Sequence, residues 1–435
     1  LVPAEGQPYK VPENWCWVRL DNINEHKSIT LDPQNYQKDK FELYSVPSSA
    51  DDYPEMIAGG KIGSSKQVVQ KDDVLLCKIN PHINRVWKVS QYTGNTLLAS
   101  SEWIIVRNKD ILSDYLMWCF RAPFFRKYML SNVSGVGGSL MRAQPKYVKT
   151  YPIPLPSYVE QSRIVARIES FFAKLDEAKE KIQEVLDGAD LRRAAILHQA
   201  FTGKLTEKWR RENNVSDDSR EKYNVKSICN SLKYGTAKKS VQHGKVVVLR
   251  MGNLQKGEID WESLVYSNDQ DDIEKYSLNA GDVLFNRTNS AELVGKTSIY
   301  RGERPAIYAG YLIKLDYKHD KIIGDYFNYM LNSPKAKEYC NKVKTDGVNQ
   351  SNINAQKIGA FEFDVPTIPE QQEIVRLLNN MLTHEKATQS ACESAFDTID
   401  KLKKSILARA FRGKLGTNDP SEASAKELLQ EILAS

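Results

Sequence analysis

Two pairs of polar stretches in this chain carry side chains that can hydrogen-bond bases and phosphates. CKINPHINRVWK, over 77–88, offers Lys78, Asn80, His82, Asn84, Arg85 and Lys88, and GVGGSLMRAQPK, over 135–146, offers Ser139 and Arg142. The second pair is FNRTNSAELVGK, over 285–296, and GVNQSNINAQK, over 347–357. The former offers Asn286, Arg287, Thr288, Asn289, Ser290 and Lys296, and the latter Asn349, Gln350, Ser351, Asn352 and Asn354. Arg presents a fork of donors that matches guanine, Asn and Gln match adenine, and Lys and Ser commonly anchor phosphates. Asn, Ser and Gly also make turns, which is the commoner explanation for any single loop. The recurrence of such loops in both halves of the chain, with different residues in each, favours recognition.

Catalytic motifs are missing. GGKIGSS, over 59–65, is glycine-rich but lacks the spacing of a G-x-x-x-x-G-K-[ST] phosphate loop. There is no G-x-S-x-G elbow, no H-E-x-x-H and no Asn-Pro-Pro-aromatic tetrad. The six cysteines and six histidines are scattered without zinc-ligand spacing, so no metal is expected and a reduced, cytoplasmic setting is the simplest account. A net charge of +6 permits nucleic-acid binding without establishing it. The 435 residues predict two to four domains, and no apolar run reaches the length of a membrane span. LVPAEGQPYK lacks the layout of a secretion signal, and without an initiator Met the numbering is expected to start after processing or truncation.

The elements that position these loops are written twice. AILHQAFTGKL, over 195–205, returns 210 positions later as SILARAFRGKL, and the same offset carries Glu160-Gln161 and Ile164-Val165 onto Glu370-Gln371 and Ile374-Val375. That distance is far beyond a solenoid period, so a whole module is repeated. From Glu160 to Gly203, Ile164, Ile168, Phe171, Leu175, Ala178, Ile182, Val185, Ala189 and Ile196 follow alternating four- and three-residue steps, the seam of a coiled coil. The second copy continues the pattern through Ile374, Leu378, Met381, Cys392, Ala395, Ile399, Leu402 and Ile406, with Glu385 and Thr388 interrupting it. Ser157-x-x-Glu160 and Thr367-x-x-Glu370 read as capping boxes, and Gly203 and Gly413 as left-handed helix ends.

The expected organisation is an α/β (α+β) domain over 1–156, a helix over 157–208, a polar linker over 209–222, and a second such domain over 223–366. A second helix over 367–415 and a tail with a short helix over 416–435 follow. The two helices are expected to pair as an antiparallel coiled coil within an internal pseudo-twofold repeat.

The paired Pro-x(3)-Glu-Gln-x-x-Ile-Val motifs (156–165, 366–375) and the paired Ile-Leu-x-x-Ala-Phe-x-Gly-Lys-Leu motifs carry a resemblance, joined by PENWCWVRL near the start and GDVLFNR at 281–287. The chain resembles the specificity subunits of type I restriction–modification systems over essentially its whole length. The resemblance implies a non-catalytic subunit in which each globular domain reads one half of a split, asymmetric DNA site. The helices would fix the gap and dock two methyltransferase subunits, with restriction subunits joining that core. Phe201, Lys204, Phe411 and Lys414, within the repeated helix ends, are the docking candidates. S-adenosylmethionine, ATP and magnesium would belong to the partners, and no cofactor to this chain. The competing readings are a recognition fragment of a fused restriction–methylation enzyme and a stand-alone DNA-binding protein.

Overall fold

The computed structural model describes residues 1–135, 141–348 and 350–434. The chain divides into two compact units, one formed by 1–182 with 393–435 and the other by 183–392, so both boundaries fall inside long helices. Mixed sheets and helices make up each unit.

In the first unit, Val74–Cys77 is the central strand of an antiparallel sheet, between Val86–Lys88 and Trp103–Val106. All four of its residues are buried, as its unbroken apolar sequence requires of a strand covered on both faces. A five-stranded sheet runs in the order Thr30–Leu31, Lys66–Val68, Thr96–Ala99, Lys40–Tyr44, Glu55–Ala58, with one parallel pair at its centre. Cys16–Arg19 pairs with Pro152–Leu155, bringing the start of the chain to the segment that launches the helix Tyr158–Asp187. The largest core of this unit joins the helices Ser113–Arg121 and Pro123–Ser131 to Ile164 and Ile168 at the start of that helix. Leu407, Ala410 and Phe411 from the end of the helix Ile368–Ala410 complete it, with Leu429 and Ile432 of the tail helix Ala425–Ala434.

In the second unit, four antiparallel strands run in the order Cys229–Tyr234, Leu312–Tyr317, Val283–Asn286, Thr297–Ile299. Val246–Leu249 lies between Val265–Ser267 and Ala306–Tyr308 in a second sheet. Glu221–Asn224 pairs with Glu362–Val365, just before the helix Ile368–Ala410 begins. The helices Gly324–Leu331 and Pro334–Val343 pack in the largest core with Ile374 and Leu378, and with Leu197 and Ala200 of the helix Ala189–Phe201. Ser333 caps the second of those helices on the Ala336 N–H, with Pro334 at its first position.

Two sequence expectations need correction. The helix expected over 157–208 is broken at Gly188, into Tyr158–Asp187 and Ala189–Phe201. The i→i−4 bonds Gly188 N–H to Glu184 O and Arg192 N–H to Gly188 O persist, so the break is a local distortion rather than a loop. The stretch over 209–222 is not a bare connector. It shares a helix, Glu207–Glu212, and a strand, Glu221–Asn224, with its neighbours, and it contributes Arg210 and Arg220 to a buried ion cluster. No described helix is long and apolar enough to cross a membrane.

Candidate nucleic-acid interface

In each unit, the fold brings the two polar stretches, far apart in sequence, together through main-chain hydrogen bonds. In the first unit, Asn80 and Asn84 adopt left-handed backbone (φ 48° and 57°) on either side of a single 3-10 turn, Pro81–Ile83. Asn tolerates that conformation better than most L-residues. The loop they shape is stitched to the later stretch by Asn80 N–H to Met141 O (2.8 Å) and Ala143 N–H to Lys78 O (2.8 Å), with Ile79 bridging Arg142. The Oδ1 atoms of Asn80 and Asn84 and Oε2 of Glu102 are buried without a partner among the described residues. His82 is exposed, Lys78 and Arg85 are half-buried, and Arg142 is exposed on an ion pair with Glu102 (2.8 Å). Lys88 instead ties its strand to the neighbouring helix through Asp114 (2.6 Å), a bracing role rather than an open cation. Ser139 lies outside the described residues.

The second unit builds the equivalent surface more regularly. Thr288–Asn289 pairs antiparallel with Ser351–Asn352, which pairs in turn with Thr345–Asp346. Asn289 and Asn352 are half-buried, and Ser290 and Gln350 are exposed. Lys296 is half-buried and donates to Gln255 (3.2 Å), and burial, helped by the Lys337 charge, depresses its pKa.

Four of the sequence candidates here are spoken for by the protein itself. Asn286 is fully buried, its Oδ1 accepting from the Thr288 N–H while its Nδ2 has no partner among the described residues. Thr288, also buried, accepts from the Asn352 amide (2.8 Å), and Ser351 donates to Asp346 from a buried position. Asn354 caps the short helix Ala355–Gly359 on the Lys357 N–H (2.9 Å). Asn349 lies outside the described residues.

Sequence reasoning missed two tyrosines at this surface. Tyr234 is 40% exposed at the end of its strand and lies under the Arg287 guanidinium, whose Cζ is 4.8 Å from the ring centroid. Tyr311, 49% exposed, accepts the Arg287 N–H on its carbonyl (3.0 Å). The signal was a Tyr beside a Gly at two strand ends, KYGT and AGYL. Gly235 is required by close approach, because a Cβ there would stand 2.1 Å from the Tyr308 carbonyl oxygen.

The repeated helix motifs form two matching arrangements. Gln161 accepts the Leu112 N–H (2.9 Å) and Gln371 the Ile323 N–H (3.0 Å), each capping a neighbouring helix start. The first capping box is only half made, since Ser157 accepts from the Glu160 N–H while the Glu160 side chain turns elsewhere, and in the second the Thr367 side chain makes no such bond among the described residues. Buried Glu160 accepts from Thr417 (2.7 Å) and pairs with Arg163 (2.7 Å). Buried Glu370 accepts from Thr206 (2.7 Å), Arg210 (3.0 Å) and Arg220 (2.6 Å). Each threonine lies just past an FxGKL end, so in each unit the start of one long helix is fastened to the end of the other.

Burial would raise the Glu370 pKa, but Thr206, Arg220 and Arg210 together hold it below the ordinary value. At Glu160 burial outweighs Thr417 and Arg163, and the pKa is raised.

Of the docking candidates, Lys204 and Lys414 are exposed at helix ends closed by left-handed Gly203 (φ 82°) and Gly413 (φ 67°). Phe411 is fully buried beside Tyr115 (ring centroids 5.3 Å apart) and Phe124 (6.2 Å), which corrects its reading as a surface contact. Phe201 packs edge-on against Tyr326 at 5.3 Å and is half-buried.

Residues 218–390 match the family described as the type I restriction modification DNA specificity domain. The type I restriction enzyme EcoKI specificity subunit of Escherichia coli (strain K12) is 26% identical, over 96% of this chain and 88% of that protein. The StySPI specificity subunit of Salmonella potsdam is 26% identical, over 75% and 72%. The crystal structure of the HsdS subunit from Thermoanaerobacter tengcongensis has a TM-score of 0.66 at 19% identity, covering 94% of this chain and 99% of that one. A chain from a type I R-M system complex has a TM-score of 0.72 at 18% identity, covering 94% of this chain and all of that one. Over most of its length the chain is thus similar to the specificity subunits of type I restriction–modification systems.

Proposed function

We propose that this chain is the DNA sequence-recognition subunit of a type I restriction–modification complex and that each unit reads one part of a two-part, asymmetric site. The observation that carries this reading is the joining, in each unit, of two polar loops into one surface by main-chain bonds. Turn-making alone does not call for loops so distant in sequence to be assembled side by side. The different side chains on the two surfaces suit two different half-sites.

The long helices pair as an antiparallel coiled coil that sets the spacer. In the first unit, Lys403 lies over Phe172 (5.0 Å) and pairs with Asp176, while Lys179 faces Phe396 (6.0 Å), so the numbering rises on one helix as it falls on the other. In the second, Arg192 pairs with Glu385 (2.6 Å), giving the polar interruption of the seam a partner. The duplicated Glu-Gln motifs and their matching contacts support an internal pseudo-twofold repeat. Two methyltransferase subunits dock at the near-identical helix ends through Lys204 and Lys414, and restriction subunits join them. S-adenosylmethionine, ATP and magnesium act in those partners, in the cytoplasm.

Mapping methylated adenines in cells that express the chain with its methyltransferase tests the reading. A two-part motif with a fixed gap is expected, and a continuous palindrome would overturn it.

A further inference from the structure

We propose that Arg287 reads a guanine in the part of the site contacted by residues 183–392, and that Tyr234 is the positioning residue that aims it. The proposal rests on the DNA-recognition reading and deepens it.

Three chain segments converge on Arg287. Its N–H donates to Tyr311 O (3.0 Å), and its carbonyl accepts from the Ile353 N–H (2.8 Å), which fixes the main chain on both sides. The guanidinium lies over the Tyr234 ring, and Nη1 makes a long contact with Gly310 O (3.4 Å). Tyr234 is itself pinned, its hydroxyl accepting from the Ala355 N–H (2.9 Å). The close packing of Gly235 on Tyr308 sets where that ring can stand.

The cation is under-satisfied. Arg287 meets no carboxylate among the described residues, as Arg193, Arg250 and Arg304 of the same unit do not, but it is the one described arginine with a buried nitrogen left without a partner. Its Nε is buried without a partner, and Nη2 is neither buried nor partnered among the described residues. A guanidinium with one buried nitrogen unpaired and another open at the surface suits an acceptor from outside the chain.

The geometry favours a base edge over a phosphate. A phosphate contact needs charge and tolerates many approach angles, which a flexible lysine supplies. A guanidinium stacked on an aromatic ring and anchored at one nitrogen offers donors along one direction. Guanine presents O6 and N7 side by side in the major groove, an acceptor pair that the exposed Nη2 together with the loosely held Nη1 can meet.

The test is selection from a randomised DNA duplex library by the full chain assembled with its methyltransferase subunits. Arg287→Ala and Arg287→Lys should each lose guanine preference at one position, on the order of tenfold or more, with the other part of the motif intact. Tyr234→Leu should relax the same position, and Tyr234→Phe, which keeps the ring but loses the tie to the Ala355 N–H, should relax it less. Retention of the other half-site serves as the folding control. A uniform loss of binding with an unchanged motif would mark a phosphate contact and overturn the proposal, as would guanine preference surviving in Arg287→Lys. Relaxation by Arg287→Ala but not by Tyr234→Leu would remove Tyr234 from the role. If the unmodified chain selected no motif at all, the DNA-recognition reading itself would fall. A motif untouched by Arg287→Ala would sink only the present proposal.

Discussion

Glu160 and Glu370 occupy the same place in duplicated motifs, and burial pushes both pKa values up, yet their partners leave net shifts of opposite sign. Glu370 shares one oxygen among Thr206, Arg210 and Arg220 and titrates below an ordinary carboxylate. Its contribution is complete above the unfolded-state pKa and is lost as pH falls through the folded one. Glu160 titrates above the ordinary value, so its ionised form costs stability, and the cost is relieved as pH falls through the folded pKa. Glu370→Gln leaves the buried Arg210 facing a neutral amide and should cost roughly 3–5 kcal/mol at neutral pH, while flattening the loss of stability on acidification. Glu160→Gln should cost about 1 kcal/mol or less and leave that loss in place. Denaturant unfolding at neutral pH and near pH ~4 checks both, and the reverse ordering would contradict the ion-cluster account. These roles were only half legible. The sequence marked both glutamates through the repeat but suggested caps, because a partner such as Thr417 or Arg220 lies far away in the chain. The same blindness put Lys88, Asn286 and Asn354 among candidate DNA contacts, since residue type shows what a side chain can bond and not what already bonds it.

Helix ends and the helix break were legible to different degrees. Gly203 and Gly413 announced left-handed ends, because few other residues accept positive φ without strain. Their surroundings differ in a way no local pattern reveals. A Cβ on Gly203 would meet the Arg220 guanidinium at 3.1 Å, a movable group, while one on Gly413 would meet the Pro12 ring at 2.3 Å. Both alanine substitutions should lose about 1–2 kcal/mol to backbone strain, and Gly413→Ala should lose measurably more in thermal unfolding because the proline ring cannot yield. Equal losses would mean that the Pro12 contact is dispensable.

The break at Gly188 was missed, because seam periodicity continues across it. Its physical reason lies in the Arg192 side chain, which donates to Val185 O (2.7 Å) and to Glu385, and whose Nη1 stands 2.7 Å from where a Cβ on residue 188 would be. Glu385 therefore looked like a defect in an apolar seam when it is half of a pair. Arg192→Leu and Glu385→Leu should each destabilise, and the double substitution should recover most of the loss in a double-mutant cycle. Purely additive losses would show the pair to be incidental.

At the scale of the whole chain, each unit contains the same fastening, made within itself and in the opposite sense to the other. The start of the first long helix is tied to the end of the second in one unit, and the start of the second to the end of the first in the other. In the ruler reading proposed above, the length of helix between the two fastenings sets the gap between the half-sites. Adding seven residues to both helices, after Ile182 and before Glu393, keeps the seam on the same face because seven residues are two turns of the 3.5-residue repeat. Each insertion adds about 10 Å of helix, which corresponds to about 3 base pairs of DNA. The expected outcome is a methylation motif whose two halves are unchanged and whose gap is longer by about that amount. An insertion of five residues would turn the added segment by roughly 140°, misalign the seam, and abolish methylation of every two-part site. Altered half-sites with an unchanged gap would separate recognition from the helices in the wrong direction and end the ruler account. An unchanged motif with both insertions in place would do the same, because it would mean that the distance between half-sites is set by something other than the paired helices.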